Sequence, residues 1–95
     1  MIQMTITDTE ILAIEDGKLL GKIEFTLSDN NITILHTYAY ESGRGIGTLL
    51  MKNAVELAKE NQYTIIPICS FALKYLSEKN EFTPQRSALV RGGRN

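Results

Sequence analysis

His36-Thr37-Tyr38-Ala39-Tyr40-Glu41-Ser42-Gly43-Arg44-Gly45-Ile46-Gly47-Thr48-Leu49-Leu50 is the stretch where the chain changes period. Before it, Ile32, Ile34, His36, Tyr38 and Tyr40 alternate with Thr33, Leu35, Thr37 and Ala39, which predicts a strand over 32–40 with those two sets on opposite faces. After it, Ile46, Leu49, Leu50, Ala54, Leu57 and Ala58 recur at helical spacing, which predicts a helix from Gly45 to about Asn61, with Asn61 in the left-handed closing position. The hinge between the two periods is Gly43-Arg44-Gly45-Ile46-Gly47.

Working toward the start, Leu19, Gly21, Ile23, Phe25 and Leu27 alternate with polar neighbours, a half-buried antiparallel strand. Ser28-Asp29-Asn30-Asn31 turns it into the next strand. Asp16-Gly17 joins it to Glu10-Ile11-Leu12-Ala13-Ile14, because both positions tolerate positive φ. Working toward the end, Tyr63-Thr64-Ile65-Ile66-Pro67-Ile68-Cys69 is a β-branched apolar run. It reads as a strand parallel to 32–40, since a helical crossover joins them. Ser70 suits the cap of a second helix running to about Lys79, with Phe71, Ala72, Tyr75 and Leu76 inward. The expected fold is α+β: a three-stranded antiparallel meander, one parallel strand reached through a helix, and a final helix, in the order β-β-β-α-β-α.

Composition sets the outer bounds. The chain has 95 residues, 43% hydrophobic and 22% charged, which suits one small globular domain. No apolar run nears the ~18 residues of a membrane span, and no signal segment is visible at the start, so the reading is a cytoplasmic protein without membrane partners. One cysteine, Cys69, and one histidine, His36, leave no metal-ligand set and no internal disulfide. Net charge is −1 but uneven: residues 1–82 hold seven Lys/Arg against all eleven acids, whereas 83–95 hold Arg86, Arg91 and Arg94 and no acid. An acidic body argues against nucleic acid as a partner. The single domain is expected over 1–82, with 83–95 as a flexible basic tail.

The glycine hinge carries the first chemistry. A helix N-terminus leaves backbone N–H groups unpaired and partly positive, and glycines at 43, 45 and 47 let an anion come close. A phosphate or pyrophosphate fits, with Arg44 able to add a charge-assisted contact. The competing reading is a tight turn and nothing more. A Walker A loop is excluded, since Thr48-Leu49 follows Gly47 where Lys-Ser/Thr would be needed. The dinucleotide fingerprint is excluded because Thr48 stands where its third glycine belongs.

Two side chains are candidates for catalysis. Cys69, at a strand end just before a helix, lies where the dipole favours a nucleophilic thiolate; its alternative is a buried small hydrophobe. His36 can serve as a general base, or sit hydrogen-bonded in the core.

A strand, a G-x-G at a helix start, then a strand and a helix resemble the GNAT superfamily of acyl-CoA N-acetyltransferases. Its Q/R-x-x-G-x-G/A signature falls here on Ser42, Gly45 and Gly47. The length, His36-Thr37, the glycine hinge and Pro67-Ile68-Cys69 are similar to a minimal bacterial GNAT-like subfamily of about this size. The resemblance implies that acetyl-CoA lays its pyrophosphate on the backbone N–H groups of Gly43, Arg44, Gly45, Ile46, Gly47 and Thr48. It implies that the pantetheine arm pairs with the strand at Thr37, Tyr38, Ala39 and Tyr40, as an added strand would. It also implies acetyl transfer to an amine acceptor that the sequence does not identify, with Cys69 as covalent relay or proton donor and His36 as base. Many relatives carry N-x-x-A-x-x-L-Y on the last helix. Here Cys69 takes the Asn position and Leu76 that of the tyrosine that protonates the leaving thiolate. The alternatives are therefore a CoA-binding or sensing module without turnover, or a structural domain.

Overall fold

The computed structural model describes residues 1–79. The proposed tail, 83–95, lies outside them, as do the last residues of the expected domain. The elements are β1 (Gln3–Ile6), β2 (Glu10–Glu15), β3 (Lys18–Ser28), β4 (Asn31–Ala39), α1 (Ile46–Asn61), β5 (Thr64–Pro67) and α2 (Ser70–Lys79). They form one sheet in the order β1-β2-β3-β4-β5. The first four strands pair antiparallel, and β4 pairs parallel to β5 across the α1 crossover. The α+β arrangement expected from the sequence is thus present, with one strand more than expected.

That strand is β1, whose four residues are too few to show alternation. Thr7 folds it onto β2: its Oγ1 accepts the N–H of Thr9 (3.2 Å) and of Glu10 (3.0 Å). Asp16 and Gly17 both adopt positive φ (52° and 78°), the geometry that lets a two-residue turn follow the twist of β2 and β3.

Two bulges correct the expected faces. Between Ala13↔Gly21 and Ile14↔Leu19 an extra residue, Leu20, enters β3. Leu20 is therefore buried in the core while Leu19 reaches solvent. Between Glu24↔His36 and Phe25↔Ile34 the extra residue is Leu35 in β4. Ile32 and Ile34 are buried in the core, but past Leu35 the parity inverts. Thr37 now pairs with core residue Ile23, and His36 and Tyr38 pair with Glu24 and Lys22 on the other side. His36, Tyr38 and Tyr40 do not share a face with Ile32 and Ile34, because a period-two count does not register the added residue.

The core lies between one sheet face and the helices. α1 buries Ile46, Leu50, Met51, Ala54, Val55 and Ala58, while Leu49 and Leu57 are only half-buried. α1 comes close because Gly21 has no side chain: a Cβ there would stand 2.5 Å from the Tyr38 carbonyl and 2.7 Å from Ile46 Cγ2. α1 closes on Gln62 in the left-handed conformation (φ 60°), one residue beyond the expected Asn61. Asn61 instead donates its side-chain amide to the Leu57 carbonyl at 2.9 Å. α2 buries Ala72, Tyr75 and Leu76, but Phe71 is 40% exposed. No helix among the described residues is long and apolar enough to cross a membrane.

Candidate functional site

The front end of α1 is open. Its cap, Gly45, is left-handed (φ 67°), offers no side-chain hydrogen bond, and is followed by no acid in the first turn. Intrahelical bonding begins at Leu49, whose N–H donates to the Gly45 carbonyl at 2.9 Å. The N–H groups of Ile46, Gly47 and Thr48 precede that bond, as at any helix start, and the positive end of the dipole is uncompensated by acid there. Gly43 (φ 79°) and Gly45 face open space where a Cβ would be, so a ligand has room over both. Gly47 differs: a Cβ there would stand 2.8 Å from Phe71 Cζ, so its lack of a side chain lets α2 close against α1. Beside this contact Thr48, Phe71, Lys74, Tyr75 and Glu78 line a cavity of about 250 Å³.

The guanidinium of Arg44 is committed to protein carboxylates. It donates to Glu15 at 2.9 Å and to Glu41 at 3.2 Å, and Lys18 donates to Glu41 at 2.9 Å. The Arg44 hydrogen bond, and then other contacts, hold the Glu15 carboxyl below the ordinary range; Lys18 first and Arg44 second do the same for Glu41.

A second opening lies between β4 and β5. Their ladder stops at Ile34↔Pro67. The N–H groups of Ile68 (3.0 Å) and Cys69 (3.2 Å) both donate to the Ile34 carbonyl, after which the chain turns into α2. Residues 35–39 of β4 therefore continue with a strand on the β3 side and no ladder on the other among the described residues. Such an edge can accept an extended ligand carrying amides.

Cys69 stands at the base of this gap, and it, not Ser70, caps α2. Its carbonyl accepts the Leu73 N–H at 3.1 Å, and its Sγ accepts the Ala72 N–H at 3.4 Å. Thr37 Oγ1 is 3.3 Å from the same sulfur. The partly buried thiol is thus fixed by an N-terminal helix amide and a strand hydroxyl.

His36 is placed elsewhere. It is exposed on the opposite side of β4 from Thr37, with its ring centroid 5.8 Å from that of Tyr38. Tyr38 stacks on Tyr40 at 6.1 Å. Lys22 reaches over the Tyr38 ring and bridges Glu10 (3.0 Å) and Glu24 (3.2 Å), which raise its pKa, Glu10 most. The structure therefore brings Thr37 to Cys69 and separates His36 from that contact. The sequence points to Thr37 for its backbone only, not for its hydroxyl, and the Glu10–Lys22–Glu24 cluster leaves as its trace the alternation of charge at Lys22 and Glu24.

A family model described as GCN5-related N-acetyl-transferase matches residues 5–85. No curated protein matches the chain. Among solved structures, a GCN5-like protein of Staphylococcus aureus superposes with a TM-score of 0.70 at 29% identity, covering 85% of this chain and 83% of that one. A GNAT family acetyltransferase from Elizabethkingia anophelis, solved with acetyl-CoA bound, gives 0.58 at 23% identity over 75% of this chain and 51% of that one. The N-acetylglutamate synthase of Neisseria gonorrhoeae, complexed with coenzyme A and N-acetyl-glutamate, gives 0.60 at 12% identity over 88% of this chain but 23% of its own.

Proposed function

Because the chain belongs to the GCN5-related N-acetyltransferase family, we propose that it binds acetyl-CoA and moves the acetyl group to an amine. The observation that carries this reading is the coincidence of two openings: the uncapped α1 start and the unpaired β4 edge beyond Ile34↔Pro67. They are joined through the Gly47–Phe71 contact, two residues from Cys69. The backbone N–H groups of Gly43, Arg44, Gly45, Ile46, Gly47 and Thr48 hold the pyrophosphate. The pantetheine amides run along Thr37, Tyr38, Ala39 and Tyr40. The nucleoside end extends to the cavity beside Thr48, where Phe71 offers a ring and Lys74 a cation.

The chemistry then runs at the open β4 edge beside Cys69. A β4 backbone N–H polarises the thioester carbonyl. The Cys69 sulfur attacks that carbon, the bond to coenzyme A sulfur breaks, and the Cys69 proton leaves with the coenzyme A thiolate. An amine entering at the open β4 edge attacks the acetyl-cysteine, its proton passes through water to the departing Cys69 sulfur, and the thiol returns. A cytoplasmic site of action suits a free thiol in this role.

A second reading has one observation behind it. Leu76, buried, stands where relatives place the proton-donating tyrosine, which favours a coenzyme A-binding module without turnover. Mass spectrometry after incubation with acetyl-CoA separates the two. An acetyl adduct on Cys69 that an amine discharges supports transfer. Tight binding with no adduct and no thioester loss supports the module. Coenzyme A at 100 times its dissociation constant stabilises a true binder by ~2.7 kcal/mol; no thermal shift at all removes both.

A further inference from the structure

The glycine loop has a tether that binding alone does not explain. Tyr40 donates its N–H to Leu20 at 2.8 Å, and Leu49 is bonded back to Gly45. The stretch between them contains two left-handed glycines, the residues that lose most freedom on ordering. The Arg44 side chain projects from its middle and takes two carboxylates, Glu15 at the end of β2, 29 positions away, and Glu41 in the loop itself, two residues past β4. Lys18, at the start of β3, takes the other oxygen of Glu41. Four charges from the β2–β3 hairpin and the loop thus form one chain of contacts. Single exposed pairs contribute little, but here the two carboxylates are 23% and 27% exposed and each is held by more than one cation, so the contacts, though open to solvent at Arg44 and Lys18, act together.

We infer that Arg44 is a positioning residue: its guanidinium is a strut that pins the loop to the β2–β3 hairpin, leaving the backbone N–H groups to meet the diphosphate. This rests on the acetyl-CoA reading above. The alternative is a guanidinium that leaves its carboxylates for the phosphates. The two have opposite signs. Removing a carboxylate charge beside an anion site tightens anion binding by charge alone, and it frees Arg44. Removing it from a strut loosens the loop and weakens binding.

The test uses Glu15→Gln and Glu41→Gln. Hydrogen exchange of the ligand-free protein is measured first, at the Tyr40 and Leu49 amides that flank the loop. The strut predicts faster exchange at both in each variant; unchanged exchange overturns it. Coenzyme A and pantetheine, which lacks the diphosphate, are then titrated. The strut predicts about threefold to tenfold weaker coenzyme A binding with pantetheine unchanged, and Arg44→Lys retaining more affinity than Arg44→Gln. Tighter coenzyme A binding in the carboxamide variants overturns the strut in favour of direct contact. If the wild-type protein binds neither compound, the acetyl-CoA reading fails while the exchange result still judges the strut.

Discussion

Thr37 Oγ1 lies 3.3 Å from Cys69 Sγ, joining the open half of β4 to the residue that caps α2. When the hydroxyl donates, it and the Ala72 amide both point a hydrogen at the attacking sulfur. Thr37→Val, of nearly the same volume, is expected to slow alkylation of Cys69 by iodoacetamide several-fold, about the worth of one hydrogen bond to a charged group. Thr37→Ser restores the rate. Equal rates in all three proteins would show that the hydroxyl merely packs.

His36 stands across β4 from that contact, out of reach of the proton that discharge of Cys69 releases. His36→Gln is therefore expected to change neither acetylation of Cys69 nor its discharge to the amine by more than about twofold, read from the intact-mass spectrum during turnover. Accumulation of acetyl-protein in this variant would bring the imidazole to the acetyl group and overturn the separation.

The glycines split by what surrounds them. Gly21→Ala sets a Cβ against backbone and the buried Ile46, neither of which yields, and costs about 2–3 kcal/mol in urea unfolding. Gly45→Ala meets open space and costs only its left-handed backbone, about 1–2 kcal/mol. Gly47→Ala moves an exposed ring, Phe71, toward the neighbouring cavity. Its stability falls by less than about 1 kcal/mol while coenzyme A affinity falls about tenfold. Equal losses of stability at 21 and 47 would contradict this division.

Acid sensitivity follows from Glu15 and Glu41. Their folded pKa values are depressed, so their contribution is present above the unfolded carboxyl value and lost as pH falls through the lower folded one. The wild-type Tm should therefore drop as pH falls below about 4.5, and Arg44→Gln should flatten that limb. Because the groups are exposed, salt should flatten it too. A limb identical in both proteins would mean that other carboxylates dominate acid unfolding.

Much of this arrangement can be read before any coordinates are known. Asp16-Gly17 announces the hairpin, the spacing from Ile46 to Ala58 announces α1, and Gly43 to Gly47 mark where backbone is laid bare. β1 is hidden because Gln3–Ile6 is a strand by virtue of its neighbour β2. The cap of α2 is hidden because Ser70 is the better capping residue by type, and only the turn after Ile34↔Pro67 decides that Cys69 holds the position. The Thr37–Cys69 and Arg44–Glu15 contacts span 32 and 29 positions, and no local pattern encodes such meetings.

The extra residue at Leu35 lets a single strand serve two masters. Its first half gives isoleucines to the oily interior; its second half shows an imidazole and two phenol rings to water while keeping a threonine for the sulfur. Were Leu35 instead given a rung of the ladder, Tyr38 would be driven toward α1 and Thr37 turned out to solvent, and the protein would lose its reactive corner and its interior through one unbent strand. Its removal, by contrast, leaves Phe25↔Ile34, Glu24↔His36 and Ile23↔Thr37 opposite one another.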